Sequence, residues 1–246
     1  MPPRPQPATA AFAGFPPAAL TFLRQLRRHN EREWFEAHRT EYEQLLRNPM
    51  REFLEEFDVL LAGTLPEIVA DAKRSMFRIH RDVRFSRDKS PYKTHVSCWA
   101  YHHDAGRGVG SVAHGGAGIY VHLEPGASMI AAGIWMPPKP ALDLIRERLL
   151  EHHRAIAAII KAAPLARRFG PLSEEAMLVR TPRGVDPAHP AAGWLRYKSF
   201  TVSRPVDDAV MTSPALLKEL ARDLAILGPM VRWLNDALGF APSSRR

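Results

Sequence analysis

Residues 78–93, RIHRDVRFSRDKSPYK, place six Arg or Lys side chains around two aspartates in sixteen positions. A guanidinium is a planar fork of donors that meets a carboxylate or phosphate two atoms at a time, whereas an ammonium is a movable point charge. Unpaired cations repel one another, and Asp82 neutralises only one of its neighbours, so the surplus calls for an external anion. Arg78, Arg81, Arg84, Lys89 and Lys93 are therefore the candidate ligands for a phosphate-bearing small molecule, with Asp82 orienting the guanidinium groups. The SRDKSPY turn adds backbone N–H groups to the same place. Nucleic acid is the extended form of that ligand, and Tyr92, Trp99, Tyr101 and Trp135 are candidate stacking surfaces.

Two other readings stay open. In the second, the protein is an enzyme, a hydrolase or transferase working on a phosphorylated or acidic substrate. Asp82 would then be general base or metal ligand, Arg81 and Arg84 would stabilise developing negative charge, and Lys89 or Tyr92 would donate a proton. Cations beside Asp82 lower its basicity, which counts against it as a base. In the third, the charges are an ion network that knits strand to helices; exposed pairs of this kind contribute at most about 1 kcal/mol each.

The charge is local. The whole chain of 246 residues carries a net +8, and the window from Lys73 to Lys93, with eight Lys or Arg against Asp82 and Asp88, holds +6 of it. No run approaches the roughly 20 apolar residues that span a bilayer, and the first residues lack a signal-peptide core, so a cytoplasmic protein without membrane contact is expected. Cys98 is the single cysteine; it excludes an internal disulfide and any cysteine metal cluster.

The elements that must position these residues follow from periodicity. Residues 1–14 are Pro- and Ala-rich without pattern and read as a disordered tail, and 241–246 as a second flexible end, leaving one domain over 15–240. Leu20, Leu23 and Leu26 have helical spacing. Asn30 with Glu33 has the form of a capping box opening a helix with Trp34, Phe35, His38, Tyr42 and Leu45. Asn48-Pro49 signals a third start, ending near Gly63. From residue 76 the period becomes two: Ile79, Val83 and Phe85 share one face of an expected strand, and Arg81 falls on that apolar side, where a buried guanidinium needs dedicated partners. YKTHVSCWAY, GIYVHLEP and MIAAGIWM continue the alternation. Pro140 opens a long helix, WLRYKSFTVS reads as a late strand with Arg196 and Lys198 on one face, and Ser213-Pro214 start a last helix bent or broken at Gly228-Pro229. Lys198 extends the positive patch if its strand lies beside the first. The expectation is an α+β fold: a helical layer, a mostly antiparallel sheet of four to six strands, and long C-terminal helices packed on it.

Other candidates are weaker. His102, His103 and Asp104 are adjacent, with His114 and His122 downstream, but neighbours on a strand point to opposite faces, so no metal and no cofactor is expected. GRGVGSVAHGGAG lacks the Gly-Lys-Ser/Thr ending of a phosphate loop and reads as a lid or connector between strands.

The spacing R78-x-x-R81-D82-x-R84-F85-x-x-x-K89-x-P91-Y92 resembles the signature of a mainly bacterial family, domain of unknown function 2461. The likeness extends to Arg32–Phe35, to GIYVHLEP, to AAGIWMP with Trp135, and to HPAAGWLRYKSF with His189, Pro190, Lys198 and Phe200. The resemblance implies no activity and no catalytic residue; it marks the eight motif positions as those that define the family.

Overall fold

In the N-terminal layer, apolar side chains recur three and four residues apart, and each stripe turns inward. The computed structural model describes residues 12–84, 86–105 and 116–242. Helix α1 (Pro17–Arg28) starts with Pro17, whose missing N–H costs nothing in the first turn, and buries Ala19, Leu20, Phe22, Leu23 and Leu26. Short helices α2 (Arg32–Ala37) and α3 (Arg39–Tyr42) follow. From Arg39 the chain stays helical through a π-helical turn, Glu43–Arg47, into α4 (Asn48–Thr64). Pro49 thus begins no separate helix. It removes a donor and crowds the carbonyl one turn back, and a widened turn just before it accommodates both effects.

Two expectations fail here for related reasons. Of the tail expected over 1–14, residues 1–11 lie outside the described residues, whereas Phe12 is buried and packs edge-on to Phe15 and Phe53, with ring centroids 5.3 Å away in both cases. Gly14 permits this with φ 105°; a Cβ there would lie 2.3 Å from the Ser213 backbone nitrogen. Asn30 does not cap α2, whose N-cap is Glu31. Its side chain instead pairs with the Tyr92 backbone, donating from Nδ2 to the carbonyl at 2.9 Å and accepting the N–H at 3.0 Å. That double bond fastens the motif segment to the helical layer.

The sheet is an antiparallel meander in the order β1 (Ile68–Val69), β2 (Val96–His102), β3 (Gly118–Leu123), β4 (Met129–Ile134) and β5 (Phe200–Pro205). Cys98 lies opposite Val121, Val121 opposite Ile130, and Ala132 opposite Val202. One face is therefore apolar, and it carries Val96, Cys98, Ala100, Ile119, Val121, Leu123, Ile130, Ala132 and Val202 into the core. The opposite face carries Ser97, Trp99, Tyr120 and His122.

The strand expected over 78–85 is not formed. Residues 76 and 80 make isolated bridges, Met76 with Cys98 and His80 with Tyr92, so four positions on one side span six on the other. That slip breaks the ladder, and the alternating pattern was one of charge around a turn. WLRYKSFTVS divides likewise: α7, Ala192–Leu195, is a helical turn and only the part from Phe200 onward joins the sheet, so Arg196 and Lys198 are not strand neighbours in it.

Helix α5 (Lys139–Lys161) kinks at His152 and leads through α6 (Ala163–Phe169) to α7; after β5 come α8 (Asp208–Met211) and α9 (Ala215–Ala237). Helix α9 runs through Gly228-Pro229 unbroken and packs on α5, α4 and β4. Its buried Asp223 accepts from Arg168 and from Arg204, the latter at 2.6 Å, and its buried Asn235 closes two bonds on the Ala117 backbone, 2.8 and 3.1 Å. No helix among the described residues is long and apolar enough to cross a membrane. The architecture is α+β.

Candidate functional site

The polar face of β2 and β3 meets the motif segment. Segment 75–81 is held antiparallel to 91–99 by backbone bonds, Phe77 N–H to Ser97 O at 3.0 Å, Arg81 N–H to Pro91 O at 2.8 Å and Lys93 N–H to Ile79 O at 2.8 Å. Phe77 meets the Tyr120 ring edge-on at 5.9 Å, and the Lys93 ammonium lies 5.2 Å from the Phe77 ring centroid.

Each candidate cation has a distinct setting. Arg81 is half-buried and paired with the exposed Asp88; with no strand formed there, it does not lie on an apolar sheet face as expected. Asp82 is bound at both oxygens by the exposed Arg84, 3.0 and 2.7 Å. Those bonds, with one from the Arg84 backbone, hold the Asp82 carboxyl down to about 2, which makes it a weak proton acceptor at neutral pH. Lys89 donates to the Val83 carbonyl at 2.9 Å. Tyr92 is buried, its ring stacked on Phe35 at 4.1 Å, so the phenol is a wedge between motif and helices. Arg78 is exposed and Lys93 half-buried; burial first, and the Arg78 charge second, push the Lys93 pKa below the ordinary value. Lys198 does not join this group, because β2, β3 and β4 stand between the motif edge and β5.

Below Arg81 and Lys93 lies a cluster that sequence reasoning missed. His122 Nδ1 is 2.9 Å from the Tyr120 hydroxyl and Nε2 is 3.0 Å from Glu124 Oε2. Glu124 Oε1 accepts from Arg27 at 2.6 Å and from the Thr94 hydroxyl at 3.4 Å. The His95 ring lies 4.2 Å from that of His122. Burial, the His122 charge and the charges of Lys93 and Arg81 drive the His95 pKa down to about 4, against the pull of Glu124. Burial opposes ionisation of Glu124, yet the bond and charge from His122, with the His95 and Arg27 charges, keep its pKa below the usual value. The arrangement comprises a neutral imidazole, a hydrogen-bonded chain Tyr120–His122–Glu124–Arg27, and two cations beside it. The signal in the sequence was the His-x-Glu spacing of 122 and 124, which puts both on one strand face; that His95 sits across from them depends on strand register.

His102, expected in a loop, ends strand β2 and is held by the backbone. His102 is fully buried, Nε2 lies 3.0 Å from the Ala241 carbonyl, and Nδ1 accepts the Asp104 N–H at 3.2 Å. Residues 106–115, with His114 and most of the glycines of the expected lid, lie outside the described residues. Cys98 is wholly buried and its thiol is pushed up to about 12 by burial, which makes it a core side chain and no nucleophile. A surface pocket of about 340 Å³ opens at the β1–β2 edge, lined by Asp58, Val69, Asp71, Arg74, Tyr101 and His103; Arg78, Arg81, Lys93, His95 and His122 do not line it.

Residues 18–233 match the family model described as a conserved hypothetical protein (DUF2461). The chain belongs to the DUF2461 family. The match runs from α1 into α9, so the DUF2461 region takes in the helical layer, the whole sheet and the histidine cluster together. No curated protein and no solved structure matches the chain.

Proposed function

We propose that this DUF2461 protein binds a phosphate-bearing small molecule through Arg78, Arg81 and Lys93 at the motif edge of the polar sheet face. The reading rests on the Arg78–Lys93 couple: the Arg78 charge helps to depress the half-buried Lys93, and neither makes a salt bridge to a carboxylate among the described residues, although the Arg78 charge also acts on Asp82. Like charges held together cost free energy, and a bridging anion relieves both the repulsion and the burial. Arg84 and Lys89, already engaged by Asp82 and the Val83 carbonyl, contribute less. Lys198 contributes nothing to this site. A cytoplasmic location belongs to the same proposal and rests on the lone buried thiol.

Calorimetric titration with inorganic pyrophosphate at low salt tests it. Arg78→Ala and Lys93→Met are each expected to weaken binding about tenfold, the size of one lost charge-assisted contact, while Lys198→Ala leaves it unchanged. A short single-stranded oligonucleotide separates the extended ligand: tight binding with a steep salt slope favours nucleic acid over a small molecule. If neither probe binds at low salt, the anion reading fails.

One observation favours a second reading, that of an enzyme acting on a phosphorylated or acidic substrate. The Tyr120–His122–Glu124 chain has the order of an oriented acid–base pair, with Glu124 aligning the imidazole, and it supplies the proton acceptor that Asp82 at about 2 does not. Loss of phosphatase-type turnover in His122→Gln with retained pyrophosphate binding would support it.

A further inference from the structure

The polar face of β2 and β3 also has the construction of a metal site. We propose that His95, His122 and Glu124 bind one divalent transition-metal ion, of the Zn²⁺ class, in an open three-ligand site with Tyr120, Thr94 and Arg27 orienting the ligands. The proposal is independent of the anion reading, since it uses none of Arg78, Arg81 or Lys93.

Three features of the cluster carry it. The potential ligand atoms lie within 4.8 Å of one another, and Nε2 of His122 stands 3.0 Å from Oε2 of Glu124. Two ligands bound tetrahedrally at about 2.0–2.1 Å sit about 3.3 Å apart, so the pair needs to open by only a few tenths of an ångström to admit the ion. The second feature is what holds the other polar atom of each ligand. His122 Nδ1 is engaged by the Tyr120 hydroxyl and Glu124 Oε1 by Arg27 and Thr94, leaving Nε2 and Oε2 facing each other. Outer partners that fix the ring and the carboxylate in this way are the rule around metal ligands. The third is His95, which is half-buried beside His122 and makes no side-chain hydrogen bond to another described residue. Its nitrogens are not among the buried polar atoms left without a partner, so they reach the surface and stand open to an ion.

The second cluster of comparable compactness, His102, His103 and Asp104, provides the contrast. There both nitrogens of the buried His102 are held by the backbone of Ala241 and Asp104, so binding an ion would strand a backbone group, whereas at His122 it displaces only a bond to another ligand of the site, Glu124. Two imidazoles and one carboxylate are the donor set of catalytic, not closed structural, zinc centres, because a fourth position stays free for water or a substrate oxygen.

The test uses untagged full-length protein stripped with a chelator and titrated with Zn²⁺ by calorimetry, and with Co²⁺ by visible absorption. One equivalent of Zn²⁺ is expected to bind, and Co²⁺ to give the visible bands of a low-coordinate nitrogen and oxygen site. His95→Gln and His122→Gln should each weaken binding at least a hundredfold and lose the Co²⁺ spectrum, Tyr120→Phe should weaken it about tenfold, and His103→Ala should change nothing. Circular dichroism establishes that each variant is folded. Absence of stoichiometric binding to the folded wild-type chain overturns the proposal. So does a Co²⁺ spectrum that survives in folded His95→Gln, or one that disappears in folded His103→Ala.

Discussion

Two histidine clusters sit on strand β2 and its flanks, both compact enough for an ion, and they differ in what their nitrogens are doing. At the C-terminal end of β2, His102 is fully buried with one nitrogen against the Ala241 carbonyl and the other accepting the Asp104 N–H. It is a bracket that joins the end of the chain to the sheet. Just before the N-terminal end, His95 is half-buried without a hydrogen bond among the described residues, and His122 turns one nitrogen to Glu124. Proximity of ligand-type residues is thus a weak guide. What separates framework from site is whether the donor atoms are spent on the backbone or held ready by side chains.

The largest expected effect that sharpens this comparison is on stability. His102→Ala removes a fully buried ring and strands the Ala241 carbonyl and the Asp104 N–H, so it should destabilise the metal-free protein by about 3 kcal/mol. His122→Ala also empties a buried site but leaves Tyr120 with Ser97 and Glu124 with Arg27 and Thr94, so it should cost less, about 2 kcal/mol, in the same denaturant titration. Equal losses would erase the distinction drawn here.

Next in size is a pH dependence. His95 in the folded state takes a proton only near about 4, whereas its ordinary value is 6.5. Between these limits the unfolded chain binds more protons than the folded one, so stability is full above about 6.5 and falls as pH drops towards 4, with a slope of up to about one proton from this group. The neighbours that set it are His122, Glu124, Lys93 and Arg81. His102, also lowered by burial, adds to the same slope. His95→Gln should flatten the curve partly, and chemical denaturation at half-unit pH steps measures by how much. No flattening would mean that His95 titrates normally and is not part of a coupled cluster.

The smallest effect is that of Tyr120→Phe without metal, expected to cost about 1 kcal/mol in thermal melts, since among the described residues the hydroxyl meets only the side chains of His122 and Ser97. A much larger loss would make Tyr120 a framework residue like His102.

The motif segment shows the limit of reading charge from sequence. Eight positions at set spacing marked it out; Phe85 lies outside the described residues, and the others serve different ends. Tyr92 is a buried wedge on Phe35, Arg81 and Arg84 are matched by Asp88 and Asp82, Lys89 holds the Val83 carbonyl, and Arg78 and the neighbouring Lys93 make no salt bridge to a carboxylate among the described residues. Alternation of charged and apolar residues around a turn mimicked a strand, but the pairing with 91–99 slips by two positions and leaves isolated bridges. Asn30 had the form of a cap, and bonding to Tyr92 sixty-two residues away took its side chain instead. His95 and the His122–Glu124 pair gave no local signal as a unit, because they come from different strands.

By itself the sequence determined the class of fold, the stripes of α1, α5 and α9, the alternation of β2, β3 and β4, the concentration of positive charge and the family. All of these are local or compositional properties, decided by the 3.6-residue and two-residue periods and by residue type. Only the tertiary structure decided which cations remain without a carboxylate partner, which histidines are brackets, and that His95, His122 and Glu124 meet. Those outcomes depend on strand register and on competition for hydrogen-bond partners between residues far apart in the chain, and no local pattern records the winner.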